Sequence, residues 1–265
     1  MMQKNGPFSL IFNALVVAFM LAPLVIICIM AFTPSNTLTL PTSTLSLRWF
    51  RTLFSHSEFV DAFWLSMVLA LASASLSCLI AVPAGLAIAR YQFRGRAMLN
   101  GLLLSPLLVP HLVLGVALMR LFTLLGGTGS FGWLLLAHTL VITPYVLRLV
   151  LSALAGFDRT AEQAAVSLGA GKGTVFFRIT LPMILPGITG GWVLAFINSF
   201  DEVTMSIFVT APSTITLPVQ MYMYTTESID PMMAAVSAVM IGITAIAMVV
   251  IDRLYGLDRI LVGRG

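Results

Sequence analysis

The sequence predicts an all-α integral membrane protein with six membrane-spanning helices and both termini on the cytoplasmic side. Three observations carry that expectation. Hydrophobic residues make up 59% of the 265-residue chain and charged residues only 9%, with a mean hydropathy of +1.02. A soluble domain carries roughly a quarter charged residues, so lipid must be the solvent for most of this surface. Six long stretches are nearly free of charge, and the basic residues collect on one side of them.

The stretches cover about 8–32, 62–89, 97–119, 131–147, 184–200 (extending to 209) and 232–251. Each is near or above the ~18 apolar residues that a spanning helix requires. They are continuous rather than alternating with period two, which argues against strands. The first is too long for the apolar part of a signal peptide and lacks a small-residue cleavage pattern, so it reads as a retained span. Pro23, Pro83, Pro106, Pro110 and Pro144 lie in or near spans. They read as kinks, tolerated where neighbouring helices satisfy the freed carbonyls. Ser73, Ala74, Ser75, Gly187, Gly190 and Gly191 allow close approach between helices. No polar tail or low-complexity linker marks a second domain, and residues 1–265 read as one integral membrane domain.

Threading six spans with the N-terminus inside places Lys4, Arg90, Arg94, Arg96, Arg148, Arg159, Lys172, Arg178, Arg253, Arg259 and Arg264 on the cytoplasmic side. The other side receives Arg48, Arg51 and Arg120, an asymmetry of eleven against three among the 14 basic residues that fixes the expected orientation. The net charge of +4 is spread between apolar spans and does not indicate nucleic acid. Cys28 and Cys78 lie in apolar stretches and read as packing residues.

The longest inner segment, 152–182, reads SALAGFDRTAEQAAVSLGAGKGTVFFRITLP. Thr160 and Gln163 have the spacing of a capping box, and Gly169 is a natural helix stop. Ala164, Ala165 and Leu168 share one small, apolar face. A second amphipathic piece, 174–180, carries Phe176, Phe177 and Ile179, and Leu181-Pro182 is expected to end it before the fifth span. From these residues alone the segment is either a loop helix lying on the membrane or a docking element. The run from Gly169 to Thr174 is not a phosphate-binding loop: the required glycine and hydroxyl positions are Val166 and Gly173.

The segment resembles the EAA loop of ABC-importer permeases, whose pattern is Glu-Ala-Ala, three residues, Gly, nine residues, Ile, one residue, Leu-Pro. Here Gln163-Ala164-Ala165, Gly169, Ile179 and Leu181-Pro182 match at every spacing. The motif's Glu is replaced by Gln163, with Glu162 just before it, so a charge-dependent contact of that Glu is lost or moved to Glu162. The resemblance implies a type I importer permease of the bacterial inner membrane. It also implies a second, homologous permease subunit, two ATP-binding subunits docked on the loop, and an extracytoplasmic solute-binding protein. ATP and Mg would then sit on the partner, with no cofactor on this chain.

Asn198-Ser199-Phe200-Asp201-Glu202 places two carboxylates in the fifth apolar stretch. Such groups are costly in lipid and mark a candidate substrate pathway, lined by Asn198, Phe200, Asp201 and Glu202. Adjacent helix positions differ by ~100°, so the two acids should diverge. One could pair with Arg120, or the two could cap backbone amides. With Ser206, Phe208 and Pro218, and with Leu47-Arg48-Trp49-Phe50, this segment is similar to spermidine/putrescine-type permeases, a subgroup that includes opine and aminophosphonate importers. A polyamine is the substrate this implies. His111 and His138 have no metal-ligand spacing and read as hydrogen-bonded bundle residues. Met221, Tyr222, Met223 and Tyr224 are expected in an outer loop near Glu227 and Asp230. An ion-coupled secondary transporter fits the composition but does not need the loop motif. An intramembrane enzyme needs a nucleophile–base or metal constellation that the sequence lacks.

Overall fold

Apolar runs longer than 20 residues, with their prolines tolerated or placed at breaks, fold into helices throughout the computed structural model. It describes residues 6–41, 44–127, 129–156 and 158–255. Lys4, Arg259 and Arg264 lie outside the described residues. Among the described residues there are helices and turns and no strand. In chain order the helices are α1 (Pro7–Met30), α2 (Arg48–Ser55), α3 (Ser57–Arg90), α4 (Arg96–Leu107), α5 (His111–Leu124) and α6 (Phe131–Ala155). They continue as α7 (Thr160–Ser167), α8 (Lys172–Phe200), α9 (Ser206–Val209), α10 (Leu217–Glu227) and α11 (Met232–Tyr255). Contacts divide the chain into two units, residues 1–60 with 221–245 and residues 61–220 with 246–265. The backbones of α3, α10 and α11 run without interruption from one to the other.

In the first unit, Pro7 opens α1, where its missing N–H costs nothing. No residue of α1 is buried, the condition of a helix whose neighbours are lipid or another chain. The chain after α1 is tied back by Trp49, whose indole N–H donates to the Ser35 carbonyl at 3.0 Å, and by Phe32 against Phe50, with ring centres 5.1 Å apart. Met221–Tyr224 lie on helix α10 and not in the loop expected from the sequence. Tyr224 donates to Asp230 at 2.6 Å, and burial together with that carboxylate pushes its phenol up to about 12. Asp230 also accepts from Met232 N–H at 2.9 Å, capping α11.

The second unit is built on α3, α6 and α8. At 34 residues α3 is ~51 Å long and exceeds the ~30 Å hydrocarbon core, with Arg90 complementing the dipole in its last turn. α6 is the central helix, with Leu134, Val146, Leu147 and Val150 fully buried. Backbone approaches α6 closely at two glycines of α8. A Cβ at Gly187 would lie 2.6 Å from Ala153 Cβ and 2.9 Å from Leu149 O, and one at Gly191 3.0 Å from Val146 Cα. Serines and threonines tie α3 to both helices: Ser77 to α6 through Thr143 at 3.1 Å and Thr139 O at 3.3 Å, and Ser73 to α8 through Ser199 at 2.9 Å.

Among the described residues five helices are single rods long and apolar enough to cross a membrane; the sixth span, where the third apolar stretch falls, is the pair α4 and α5 taken as one, bent by 106°. Pro106 opens a 3₁₀ turn and Pro110 is the N-cap of α5; neither can donate to the preceding turn, and Pro110 drives Val109 out of the helical region. The fifth stretch stops at Phe200 and does not extend to 209: residues 201–205 form turns before α9. Leu181-Pro182 does not end a helix. A π turn over Phe176–Thr180 leads straight into residues 181–200, because the wider i→i+5 register accommodates the missing N–H and the ring of Pro182.

Candidate functional site

α7 is a two-turn helix set on the ends of two larger ones. Thr160 is its first helical residue and not its N-cap, which is Arg159 without a side-chain cap. The capping box expected from Thr160 and Gln163 does not form, because Asp158 reaches the free amide first. Its Oδ1 accepts from Thr160 N–H at 2.9 Å and from the Thr160 hydroxyl at 2.5 Å, and these bonds hold the Asp158 carboxyl below its ordinary range. At the other end Gly169 takes φ +86°. Gly169 N–H bonds Val166 O at 2.9 Å and Ala170 N–H bonds Ala165 O at 3.0 Å, the two bonds of a Schellman stop.

The motif residues divide by exposure. Gln163, Ala164, Leu168, Gly169 and Pro182 are exposed, Leu168 at 89%. Ala165, Ile179 and Leu181 are half-buried. Glu162 points the other way. Its Oε1 accepts from Arg90 Nη2 at 2.5 Å and from the Thr180 hydroxyl. Arg159 Nη2 adds a bond to Ala89 O at 3.4 Å, one of the carbonyls a helix end leaves unpaired. A cavity of about 750 Å³ lies beside α7, bounded by Arg90, Arg159, Glu162, Gln163, Lys172 and Phe176.

The acidic pair diverges as expected, but the four pathway candidates do not converge. Asp201 is exposed at the C-cap of α8, and Asn198 donates to Leu194 O at 2.7 Å within its own helix. Phe200 is 2% exposed and stacks on Phe196. Glu202 is 8% exposed; its Oε1 accepts from Met205 N–H at 2.7 Å and its Oε2 from His111 Nδ1 at 2.8 Å. The partner of Glu202 is therefore His111, at the start of α5, and no ion pair of Arg120 with either acid occurs among the described residues. His138, 1% exposed, joins Ser199 at 2.9 Å and Ser206 at 3.0 Å, linking α6, α8 and α9. The Arg90–Glu162 and His111–Glu202 contacts join residues 72 and 91 positions apart, a separation no local pattern signals. Arg90 at the end of an apolar run and His111 after Pro110 were the legible hints.

These environments separate two substitutions. Glu202→Ala strips partners from a buried amide and from His111, and is expected to cost about 3–5 kcal/mol of stability. Asp201→Asn is expected to leave folding and assembly intact while changing solute flux. Thermal unfolding in detergent beside uptake in proteoliposomes reads both; if Asp201→Asn also unfolds the chain, that carboxylate is structural.

Residues 81–257 match the family model described as "Binding-protein-dependent transport system inner membrane component", and the chain belongs to that family: it is a transmembrane permease subunit of an ABC importer, a multi-pass component of the bacterial inner membrane. Spermidine/putrescine transport system permease protein PotC of Escherichia coli is 31% identical over 248 residues, covering 94% of this chain and 93% of PotC. Molybdenum transport system permease protein ModB of Escherichia coli is 34% identical over 225 residues, covering 77% of this chain and 98% of ModB. Among solved structures, a chain of the bacterial alginate ABC transporter, in complex with alginate pentasaccharide-bound periplasmic protein, superposes with a TM-score of 0.66. The two are 15% identical, over 95% of this chain and 93% of that one.

Proposed function

We propose that this permease domain imports a polyamine or a related cationic amine, and that segment 152–182 is the coupling loop on which an ATP-binding subunit docks from the cytoplasm. The observation that carries the docking is the exposed motif face: a stopped, two-turn helix presents Leu168 at 89% exposure in a segment matching the EAA spacing. Small apolar side chains there let a partner surface approach closely. Nucleotide-driven closure of two ATP-binding subunits then shifts α3, α6 and α8 between inward-open and outward-open states. ATP and Mg are held by those subunits, a second homologous permease completes the pathway, and a solute-binding protein delivers from outside. Both termini lie in the cytoplasm in this arrangement.

The substrate class rests on likeness to PotC and on exposed Asp201, whose charge suits an ammonium group. ModB, whose name gives molybdenum, supports importer chemistry without supporting a cation. Purifying the tagged chain from its host in mild detergent tests both parts. A co-eluting ATP-binding subunit with ATP turnover is expected, as is stimulation by spermidine or putrescine with the co-eluting binding protein. A chain that elutes alone and moves solute on an ion gradient overturns the importer partnership; a response only to opines, aminophosphonates or oxyanions overturns the amine.

A further inference from the structure

We propose that Arg90 and Thr180, joined through the Glu162 carboxylate, are the positioning residues that carry motion of the loop helix into the membrane-spanning helices. This rests on the docking role of α7 given above. α7 is flanked by non-helical residues 158–159 and 168–171, and its outward face is bare. A partner pulling on α7 moves the bundle only as far as the inward face resists. That face offers one charged side chain, Glu162, which is 12% exposed. Arg90 holds it at 2.5 Å from the last turn of α3, and Thr180 holds the same oxygen from the π turn at the base of α8. One carboxylate thus bridges the end of α3 and the π turn within α8, the two helices that flank α6.

The second contact runs in the same direction. Arg159 bonds Ala89 O at 3.4 Å, so both charged side chains flanking the start of α7 reach the end of α3. Beside this contact lies the cavity of about 750 Å³, so packing alone does not wedge α7 against α3; the bonds do. A charge-assisted bond is short and about twice as strong as a neutral one, and such bonds are among the links that carry coupling between two discrete arrangements. Gln163, at the position where the motif carries its Glu, is exposed and takes no part. The charge in this chain sits one position earlier, on Glu162, which faces inward.

The test is hydrogen exchange on the complex purified with its ATP-binding subunit, nucleotide-free against ATP–vanadate-trapped. In the parent protein, trapping is expected to alter exchange in 160–168 and also in 84–90 and 172–180. In Arg90→Ala and Glu162→Gln the change in 160–168 persists, while the changes in 84–90 and 172–180 are lost and transport per ATP falls at least about tenfold, a 1.4 kcal/mol weakening of the coupling. Arg90→Lys and the swap of Arg90→Glu with Glu162→Arg restore the change, which a loss of folding could not. If the single variants keep the response in 84–90 and 172–180, the tie is overturned. If the parent complex shows no change in 160–168, the docking of α7 fails, and this proposal falls with it.

Discussion

Gly169→Asp is expected to leave the chain inserted and folded while weakening retention of its ATP-binding subunit by about ten- to a hundredfold, or about 1.4–2.8 kcal/mol, because a carboxylate at the docking face loses water without gaining a partner. The site separates fold from docking unusually well. A Cβ on Gly169 meets nothing within 4 Å, so no internal contact is disturbed. The left-handed φ of +86° adds local strain of about 1–2 kcal/mol, confined to the stop of a two-turn helix. What the aspartate does meet is whatever approaches Leu168 and Ala164. Co-elution of the ATP-binding subunit with the tagged variant, beside its size-exclusion profile, measures both. Normal retention removes the docking role of this face.

Gly187→Val is expected to act in the opposite way, on the fold. Its first added atom lies 2.6 Å from Ala153 Cβ and 2.9 Å from Leu149 O, and the latter is backbone, which cannot rotate aside. α6 and α8 must part, at a cost of about 3 kcal/mol, which strains the His138–Ser199 bond that joins the same two helices. The measurement is the unfolding midpoint in detergent. Gly101→Val serves as control, since a Cβ there meets nothing within 4 Å. Equal midpoints for the two variants would mean that the α6–α8 seam yields freely.

The composition, the positions of the apolar runs and the spaced loop motif were legible because each is local. Apolar length announces a span, and Gly169 announces a stop. The seam glycines were legible too, since small residues in lipid have few other uses. What the sequence hid depends on competition between neighbours or on distance. Thr160 is a good cap residue, yet Asp158 two positions earlier wins the amide. Arg120 is a plausible partner for Glu202, yet the fold at Pro110 brings His111 there instead. The two carboxylates look alike as a pair, but α8 ends at Phe200 and the turn that follows leaves Asp201 exposed while burying Glu202. The bend between α4 and α5 shows the same limit, because two prolines four residues apart mark a break without giving its angle.

The π turn at residues 176–180 changes what the motif spacing measures. A helix continuing in strict α register would turn ~100° per residue, so one additional residue in that turn rotates everything before it by about that angle relative to everything after. The interval from Gly169 to Leu181-Pro182 is thus a gauge of rotational phase as well as of length. It sets which way Thr180 and the buried Val175 face when α8 reaches the bundle. Among relatives, a chain one residue shorter here would need its loop helix re-aimed by a quarter turn, whatever the similarity of its residues.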